Sequence, residues 1–436
     1  MALGMSSRFI FWLVLALCAA VGSDCLLDSA ESLPISTYCV SADQCAALCR
    51  RFVEGDRGPE DFIRQAAYEL GPPDTFKLPQ SSASTPPVVD PTNVYSEVGA
   101  INFSPAVAAA LPRIYSPNLI TGKVDVIDPA TFTVVDHFNA GASPEHIVPS
   151  WDLQTLWVTG DVSGPGAHGS LVPIDPKTAK PGAPVKVDDA YNMYFTPDGR
   201  SAIVVAEAMR RLEFRDPHTM ALQGYIAAPQ CAGINHADFA LDGSYAIFTC
   251  EFADRLAKID LVHHTLAGML QLSPGHIPQD IRAAPDGSAY FVADLLKDGL
   301  IVVDGDSFKE TGFIPTGVGA HGIYPSRDGK RLYVSNRGTH NLGGVRDGQG
   351  SVSVLDFATR KVVATWTVPG GGSPDMGNVS ADGKWLWLSG RYDGVVYAFN
   401  TDDGSVKTIP VGGMPHGLTV WPQPGRYSLG HTGNMR

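Results

Sequence analysis

The chain has 436 residues and little basic charge: 32 lysines and arginines stand against 45 aspartates and glutamates, a formal net charge of −13. This balance excludes the basic footprint of a nucleic-acid-binding protein and offers no attraction to anionic lipid. Several catalytic signatures are also missing. There is no GxSxG elbow, no P-loop, no GxGxxG between a strand and a helix, and no CxxCH, so covalent c-type haem is excluded.

Long hydrophobic runs are scarce too, and the one that stands out lies at the N-terminus. Arg8 precedes an apolar run over Phe9–Ala20, which is too short and too early for a membrane span. Small residues follow this run and offer a cleavage site near Asp24. We therefore predict a signal peptide over residues 1–23, and a secreted or periplasmic mature protein without a membrane span.

Seven cysteines are present, and six remain once the predicted signal peptide is removed. An even number in an exported chain predicts disulfides. Four cluster together and two stand apart; the two sets are Cys25, Cys39, Cys45, Cys49 and Cys231, Cys250. The first set predicts two bridges in one of three connectivities, and a zinc knot is the weaker alternative because CxxC spacing is absent. The second set predicts one bridge between antiparallel strands.

Residues 24–75 are predicted to form a small, disulfide-bonded helical appendage. A capping-box pattern there begins a helix that carries Cys45 and Cys49 on one face. Residues 76–111 are predicted to be a linker, because the chain around their start is rich in proline, serine and threonine. The remaining residues, 112–436, are predicted to form one all-β domain, whose many glycines and prolines suit turns.

A β-branched run, an acidic turn and a second run recur seven times in this domain. The turn acid closes the hairpin through its own side chain. The acids, with an asparagine in the seventh copy, are Asp128, Asp175, Asp216, Asp260, Asp304, Asp356 and Asn400. The copies follow at intervals of roughly 40 to 50 residues, which is the period of a four-stranded propeller blade.

A second unit lies between these copies: an apolar strand, an Asp-Gly turn such as TPDG or SADG, and another strand. The glycine takes positive φ in a tight hairpin. Each period then carries four strands, and seven periods predict a seven-bladed β-propeller. Two ways of closing the ring stay open, since either His416–Val420 or Ile101–Ser104 can supply the inner strand of the first blade.

The segments TPDGRSAIVVAEA, SRDGKRLYVSNRG and SADGKWLWLSGRY resemble the YVTN family of secreted β-propellers. More loosely, they are similar to the d-type haem domain of cytochrome cd-type nitrite reductase and to the propeller of nitrous oxide reductase. The resemblance covers roughly residues 112–434. It implies the fold and leaves the function open, because the family includes binding scaffolds.

Each inner strand of a propeller begins at one mouth of the central channel, so the residues that open these strands converge. Histidine opens four of the seven strands and aspartate opens two. The predicted metal ligands are His146, His236, Asp280, His321, Asp375 and His416. Such a set suits copper, zinc or iron; Met376 would add a soft ligand, and His276 and His431 are further histidines that could approach. Alternatively, the Pro-His-Gly motif is a structural feature of the repeat, which satisfies backbone groups around a water-filled channel.

A second ring is expected where the next strand of each blade ends, on the same face. Its members are Asn118, Glu207, Glu251, Asp294, Asn336, Arg337 and Arg391. Glu207 and Glu251 are candidate catalytic acids or bases, and Arg337 and Arg391 are candidate clamps for an anionic substrate. Pairing of these arginines and glutamates with each other is the alternative. Residues 338–350 form the longest insertion and are a candidate lid.

The sequence therefore supports three hypotheses. The first is an exported propeller whose channel mouth binds a metal ion such as copper, with redox chemistry on a small molecule. The second is a non-catalytic scaffold that binds a protein or glycan. The third is a propeller that binds non-covalent haem through one channel histidine.

Overall fold

The computed structural model describes residues 86–162, 168–342, 348–431 and 433–436. The predicted signal peptide and the predicted appendage over residues 24–75, with its four cysteines, lie outside these ranges. The described helices are two single turns, Ser96–Val98 and Pro105–Val107. In the described ranges, no helix reaches the length and apolarity that crossing a bilayer requires.

The strands of the described ranges form seven sheets, which confirms the predicted all-β, seven-bladed propeller. Blade 1 contains β1 (Arg113–Asn118), β2 (Lys123–Asp128), β3 (Thr133–Asn139) and β29 (Thr419–Trp421). Blade 2 contains β4 (Pro144–Pro149), β5 (Leu156–Gly160), β6 (Gly169–Asp175), β7 (Lys180–Pro181) and β8 (Val185–Val187). Blade 3 contains β9 (Asn192–Phe195), β10 (Ala202–Ala206), β11 (Arg211–Arg215) and β12 (Leu222–Ala227). Blade 4 contains β13 (Ile234–Phe239), β14 (Tyr245–Cys250), β15 (Arg255–Asp260) and β16 (Thr265–Gln271).

The last three blades repeat the same antiparallel order. Blade 5 contains β17 (Pro278–Ala283), β18 (Tyr290–Asp294), β19 (Gly299–Asp304) and β20 (Lys309–Pro315). Blade 6 contains β21 (Ala320–Pro325), β22 (Arg331–Asn336), β23 (Ser351–Asp356) and β24 (Lys361–Thr367). Blade 7 contains β25 (Pro374–Val379), β26 (Trp385–Gly390), β27 (Val395–Asn400) and β28 (Val406–Pro410). The innermost strands of blades 4 to 7 contact one another in sequence, and β29 of blade 1 contacts those of blades 7 and 2.

Burial decreases from the channel outward. The inner strands β4, β13, β17, β21 and β25 are buried along their whole length. The outer strand β24 alternates between exposed and half-buried residues, as expected for a strand with one face in water. The turn acids act as predicted: Asp128 Oδ1, for example, accepts the backbone N–H of Ala130 at 2.9 Å.

The ring closes through the C-terminal strand. β29 pairs antiparallel with β1, with Trp421 opposite Arg113 and Thr419 opposite Tyr115. The alternative, in which Ile101–Ser104 provides this strand, is wrong: Phe103 forms an isolated parallel bridge with Gly425 instead. The closing strand leaves the first blade without an unpaired inner edge.

A disulfide bond and the segment before β1 also stabilise the ring. The predicted bridge between Cys231 and Cys250 is confirmed, with the two Cα atoms 4.8 Å apart at the start of blade 4. The described part of the predicted linker packs against the propeller. There the buried Tyr95 donates a hydrogen bond from its hydroxyl to the carbonyl of Ala283 at 2.7 Å.

Candidate functional site

A β-bulge near the start of the inner strands determines which residues face the channel. In blades 2, 4, 5, 6 and 7 the ladder between the two inner strands shifts by one residue at this point. Two successive residues then oppose one residue of the neighbouring strand. These buried pairs are Glu145-His146, Asn235-His236, Gln279-Asp280, His321-Gly322 and Asp375-Met376.

The predicted histidines occupy two different positions within the bulge. His146 and His236 occupy the second position of their bulges, whereas His321 occupies the first. His416 lies just before β29, and its backbone N–H donates to the carbonyl of Pro117 at 3.1 Å. The one-residue offset lets side chains from different blades interleave instead of meeting in one flat ring.

A hydroxyl on the neighbouring strand anchors the second bulge residue. Thr159 Oγ1 accepts the backbone N–H of His146 at 3.1 Å, and Thr249 Oγ1 accepts that of His236 at 3.0 Å. Ser335 and Ser389 do the same in blades 6 and 7. The sequence carries this signal as a threonine or serine one residue before the end of β5, β14, β22 and β26. None of these four hydroxyl residues had a predicted role.

Five imidazoles meet in the channel. The ring centroid of His146 lies 4.8 Å from that of His416, 5.2 Å from His431 and 5.4 Å from His236. His236 and His431 are 4.6 Å apart, and His321 contacts both His416 and His236. All five side chains are buried. We call these residues (His146, His236, His321, His416 and His431) the histidine cluster.

Three members present one ligand atom each within 4.8 Å of one another: His146, His236 and His431. Both ring nitrogens of His146 and Nε2 of His236 lack a hydrogen-bond partner among the described residues. The amide nitrogen of Asn192 lies 3.1 Å from Nδ1 of His236 and 2.9 Å from Nδ1 of His431, so it orients both rings. Of these four residues, His431 had been noted only as a further candidate and Asn192 had no predicted role.

His431 reaches the cluster because the C-terminal tail pairs with the short strand β9. The backbone N–H of Phe195 donates to the carbonyl of Leu429 at 3.0 Å, and that of His431 donates to Met193 at 2.9 Å. Beyond it, Arg436 Nη2 donates to the buried Asp238 at 2.7 Å. The tail thus becomes part of the channel lining.

Asp375, predicted as a metal ligand, is the centre of an ion-pair network. Arg337 Nε donates to its Oδ1 at 2.7 Å, and His321 Nδ1 lies 2.9 Å from the same oxygen. His416 Nδ1 lies 2.5 Å from Oδ2, and Arg391 Nη1 lies 3.8 Å from it. The carboxylate therefore orients two imidazoles, which is the usual role of a carboxylate behind metal-ligating histidines.

Asp280, the other predicted carboxylate ligand, is similarly engaged. Arg282 Nη1 donates to its Oδ1 at 3.0 Å, and Nε2 of His431 lies 3.5 Å from that oxygen. Its Oδ2 accepts the backbone N–H of Ile323 at 3.1 Å. Asp280 therefore holds His431 in place from the side opposite Asn192.

Burial and mutual repulsion keep the histidine cluster neutral. Burial, followed by neighbouring positive groups, holds the pKa values of His146, His236 and His416 well below the usual value. The pKa of His321 falls to about 4 through burial and Arg337, and burial also lowers the pKa of His431. Neutral imidazole is the form that binds metal, so no proton has to leave at neutral pH.

The predicted second ring divides into a charged group and a structural group. Glu251 is buried and accepts hydrogen bonds from Asn235 at 2.7 Å and Gln279 at 2.9 Å. Burial raises its pKa, and burial with repulsion from Glu251 raises the pKa of Glu207 well above the usual value. Burial also raises the pKa of Glu145 to about 8.

Arg391 contributes the positive side of this charged group. Its side chain is 12% exposed, and Nη1 lies 4.0 Å from Glu145 Oε2. Its Nε and Nη1 have no hydrogen-bond partner among the described residues. Arg337 differs because its Nε is fully engaged with Asp375.

The other predicted ring members stabilise backbone. Asn118 accepts the N–H of Met414 at 3.0 Å, and Asn336 accepts that of Gly317 at 3.1 Å. Asp294 accepts the N–H groups of its own turn and pairs with His276, which does not join the histidine cluster. In the described part of the candidate lid, His340 Nε2 lies 2.7 Å from Asp298.

Solved structures of low identity share this fold. The periplasmic gluconolactonase PpgL of Pseudomonas aeruginosa is 18% identical, with a TM-score of 0.57 over 72% of this chain and 99% of that one. A functionally unknown protein from Desulfotomaculum acetoxidans is 15% identical, with a TM-score of 0.53 over 70% and 98%. The dihydro-heme d1 dehydrogenase NirN, in complex with DHE, is 14% identical, with a TM-score of 0.52 over 87% and 85%.

These likenesses establish the fold alone, because each identity lies below a fifth. No curated protein matches the chain by sequence. A family model, in contrast, covers most of the propeller and its closing strand. It describes YNCE-like beta-propellers and matches residues 83–424, and the chain belongs to that family.

Proposed function

We propose that the histidine cluster binds a transition metal ion, with copper or zinc as the ion, through His146, His236 and His431. The observation that carries this proposal is the convergence of their ligand atoms within 4.8 Å, combined with the two unpaired nitrogens of His146. A buried polar group without a partner costs about 1–3 kcal/mol. A bound ion would remove that cost.

The surroundings support the same proposal. All-imidazole sites suit zinc and copper, and Asp280 beside His431 would supply an outer contact for that ligand. A copper ion there would supply one-electron redox chemistry, and a zinc ion would supply a Lewis acid.

The residues around the cluster define what a substrate would meet. Arg391 carries two unpaired N–H groups and would bind an anionic or oxygen-rich small molecule, whereas Arg337 would position Asp375 beside it. Burial raises the pKa values of Glu207 and Glu251, which favours their protonated forms and makes both residues candidate acids.

Haem is the less favoured cofactor. An axial histidine needs an open position beside it, whereas the histidines of the cluster are buried and pack against one another. A visible spectrum of the purified protein with a Soret band would reverse this preference.

Export is also part of the proposal. The bridge between Cys231 and Cys250 is a feature of proteins that fold in oxidising compartments. It agrees with the signal peptide predicted over residues 1–23. The mature chain would then acquire its metal outside the cytoplasm.

Elemental analysis tests the metal site directly. Protein stripped with chelator and reloaded with copper or zinc should hold about one ion per chain, because three neutral ligands are preorganised. His146→Ala should lose nearly all of it, whereas the exposed His263→Ala should not. If His146→Ala retains the ion, the proposed ligands are wrong. If the parent protein binds none, the scaffold hypothesis, with a protein or glycan on the mouth face, replaces this proposal.

Gly417→Ala should weaken metal binding without unfolding the ring. A Cβ at this position would collide with Nδ1 of His146, so the imidazole must move. We expect the dissociation constant to rise on the order of 10–100-fold, as for the loss of an orienting contact. Gly312→Ala is the control, since a Cβ there meets nothing within 4 Å. Equal affinities of the two variants in a competitive chelator titration would contradict the prediction.

A further inference from the structure

Outside the channel, a serine, a histidine and an aspartate are linked by hydrogen bonds at the end of the propeller where the inner strands begin. Ser273 and His276 lie in the loop from β16 to β17, and Asp294 ends β18. The loop crosses between blades 4 and 5 on the side where the inner strands begin. None of these residues belongs to the histidine cluster.

The atoms that meet are those of a nucleophile, a general base and an orienting acid. Ser273 Oγ lies 2.8 Å from Nε2 of His276. Nδ1 of the same ring is hydrogen bonded to Oδ2 of Asp294. With the Nδ1–H pointing at the carboxylate, Nε2 is left to accept the serine proton.

The base and the acid are rigidly held, while the nucleophile is open to solvent. The backbone N–H of His276 donates to Asp254 Oδ1 at 2.6 Å. Asp294 Oδ1 accepts the N–H groups of Leu296 at 3.0 Å and Lys297 at 3.1 Å. His276 is 7% exposed and Asp294 fully buried, whereas Ser273 is exposed. Such preorganisation of the supporting groups is what a reactive hydroxyl requires.

We propose that Ser273, His276 and Asp294 form a second, metal-independent site that transfers acyl groups from small carboxylic esters. Ser273 Oγ attacks the ester carbonyl while its proton passes to His276 Nε2. The ester C–O bond then breaks, and the alcohol leaves with that proton. Water, deprotonated by the same nitrogen, releases the acid and restores the serine.

Three neighbouring residues define the substrate class. The ammonium of Lys297 lies 3.2 Å from where a Cβ on Gly275 would stand, so it is available to stabilise the negative oxygen of the intermediate. Phe252 and Leu296 lie on the turns on either side of the loop and are 57% and 38% exposed. Their apolar side chains would accept a hydrophobic acyl or aryl group, so the expected substrates are small apolar esters.

The chain contains a matched control. His263 Nδ1 lies 2.8 Å from Asp260 Oδ2, which reproduces the base–acid pair on an exposed turn. In the described part of the chain, no serine hydroxyl is hydrogen bonded to this histidine. Ser307 is an exposed serine whose hydroxyl is held by an aspartate, at 2.6 Å, instead of a histidine.

The test is labelling of the full-length, chelator-treated protein with a fluorophosphonate reagent, read by peptide mass spectrometry, together with hydrolysis of p-nitrophenyl acetate. The adduct is expected on Ser273 and absent in Ser273→Ala. His276→Gln should slow labelling and hydrolysis on the order of 10²-fold or more, since general-base catalysis contributes that much. His263→Gln and Ser307→Ala should change neither.

Labelling of Ser273 no faster than that of Ser307, or unchanged in His276→Gln, would overturn the proposal. Near-UV circular dichroism of each variant separates loss of reactivity from loss of fold. Because the protein carries no metal in this assay, the outcome is independent of the metal proposed for the channel.

Discussion

A chain that ends after Pro424 is expected to unfold at a far lower urea concentration than the full chain. The missing segment buries Leu429 and Met435, and each such side chain contributes about 1.5–3 kcal/mol. The truncation also removes Arg436, the partner of the buried Asp238, and breaking a buried ion pair costs about 3–5 kcal/mol. His431 is lost as well, so the truncated chain should bind no metal.

Arg436→Met tests the same contact if the truncated chain does not fold. It should lower the free energy of unfolding by about 3–5 kcal/mol, and adding Asp238→Asn should restore part of the loss because the unpaired charge is gone. Lys330→Met, on the exposed surface, is the control. A truncated chain that unfolds at the same urea concentration as the full chain would show that the tail does not stabilise the propeller.

Asp375→Asn is expected to lower the free energy of unfolding by about 3–5 kcal/mol at neutral pH. The amide leaves Arg337 without its counter-charge, removes the nearer of the two acids beside Arg391 and takes the charge from the group that orients His416. Asp136→Asn is the matched control, because Asp136 meets Lys180 at 2.6 Å in an exposed pair. Exposed pairs contribute about 0–1 kcal/mol.

The difference in the free energy of unfolding between the parent and Asp375→Asn should decrease only at acidic pH. Although burial opposes ionisation, Arg337, His321 and His416 hold the pKa of Asp375 well below 3.8. The carboxylate therefore contributes its stability at all pH values above about 4, and loses it as the pH falls through the native pKa. Urea titrations from pH 8 to pH 3 should show a constant difference in the free energy of unfolding, which becomes smaller only at the acidic end. A difference in the free energy of unfolding that increases at alkaline pH would contradict this account.

Much of the fold could be predicted from the sequence because the repeat is local. The turn acids and the Asp-Gly turns recur at fixed places, and each hydrogen bonds within a few residues of itself, as Asp128 does with Ala130. The closure of the ring was ambiguous for the opposite reason. Pairing between Arg113 and Trp421 joins strands about 300 residues apart, and no local pattern selects it over its alternative.

The candidate site was partly predictable. The repeat identified four of the five imidazoles that the structure brings together, because histidine opens four of the inner strands. The repeat does not reveal the β-bulge, at which two residues oppose one residue of the neighbouring strand. The ion pairs of Asp375 could not be predicted, since the partners of a buried carboxylate depend on residues from elsewhere in the ring, here Arg337 and His416.

The place of His431 in the chain dictates when the site comes into being. The histidine cluster draws its first imidazole from residue 146 and its last from residue 431, and the second of these is delivered by a tail that follows the closing strand. A growing or half-folded chain would therefore contain scattered histidines and no pocket for an ion. Capture of the proposed ion would then be a late event in maturation, because folding of the tail onto β9 has to precede it.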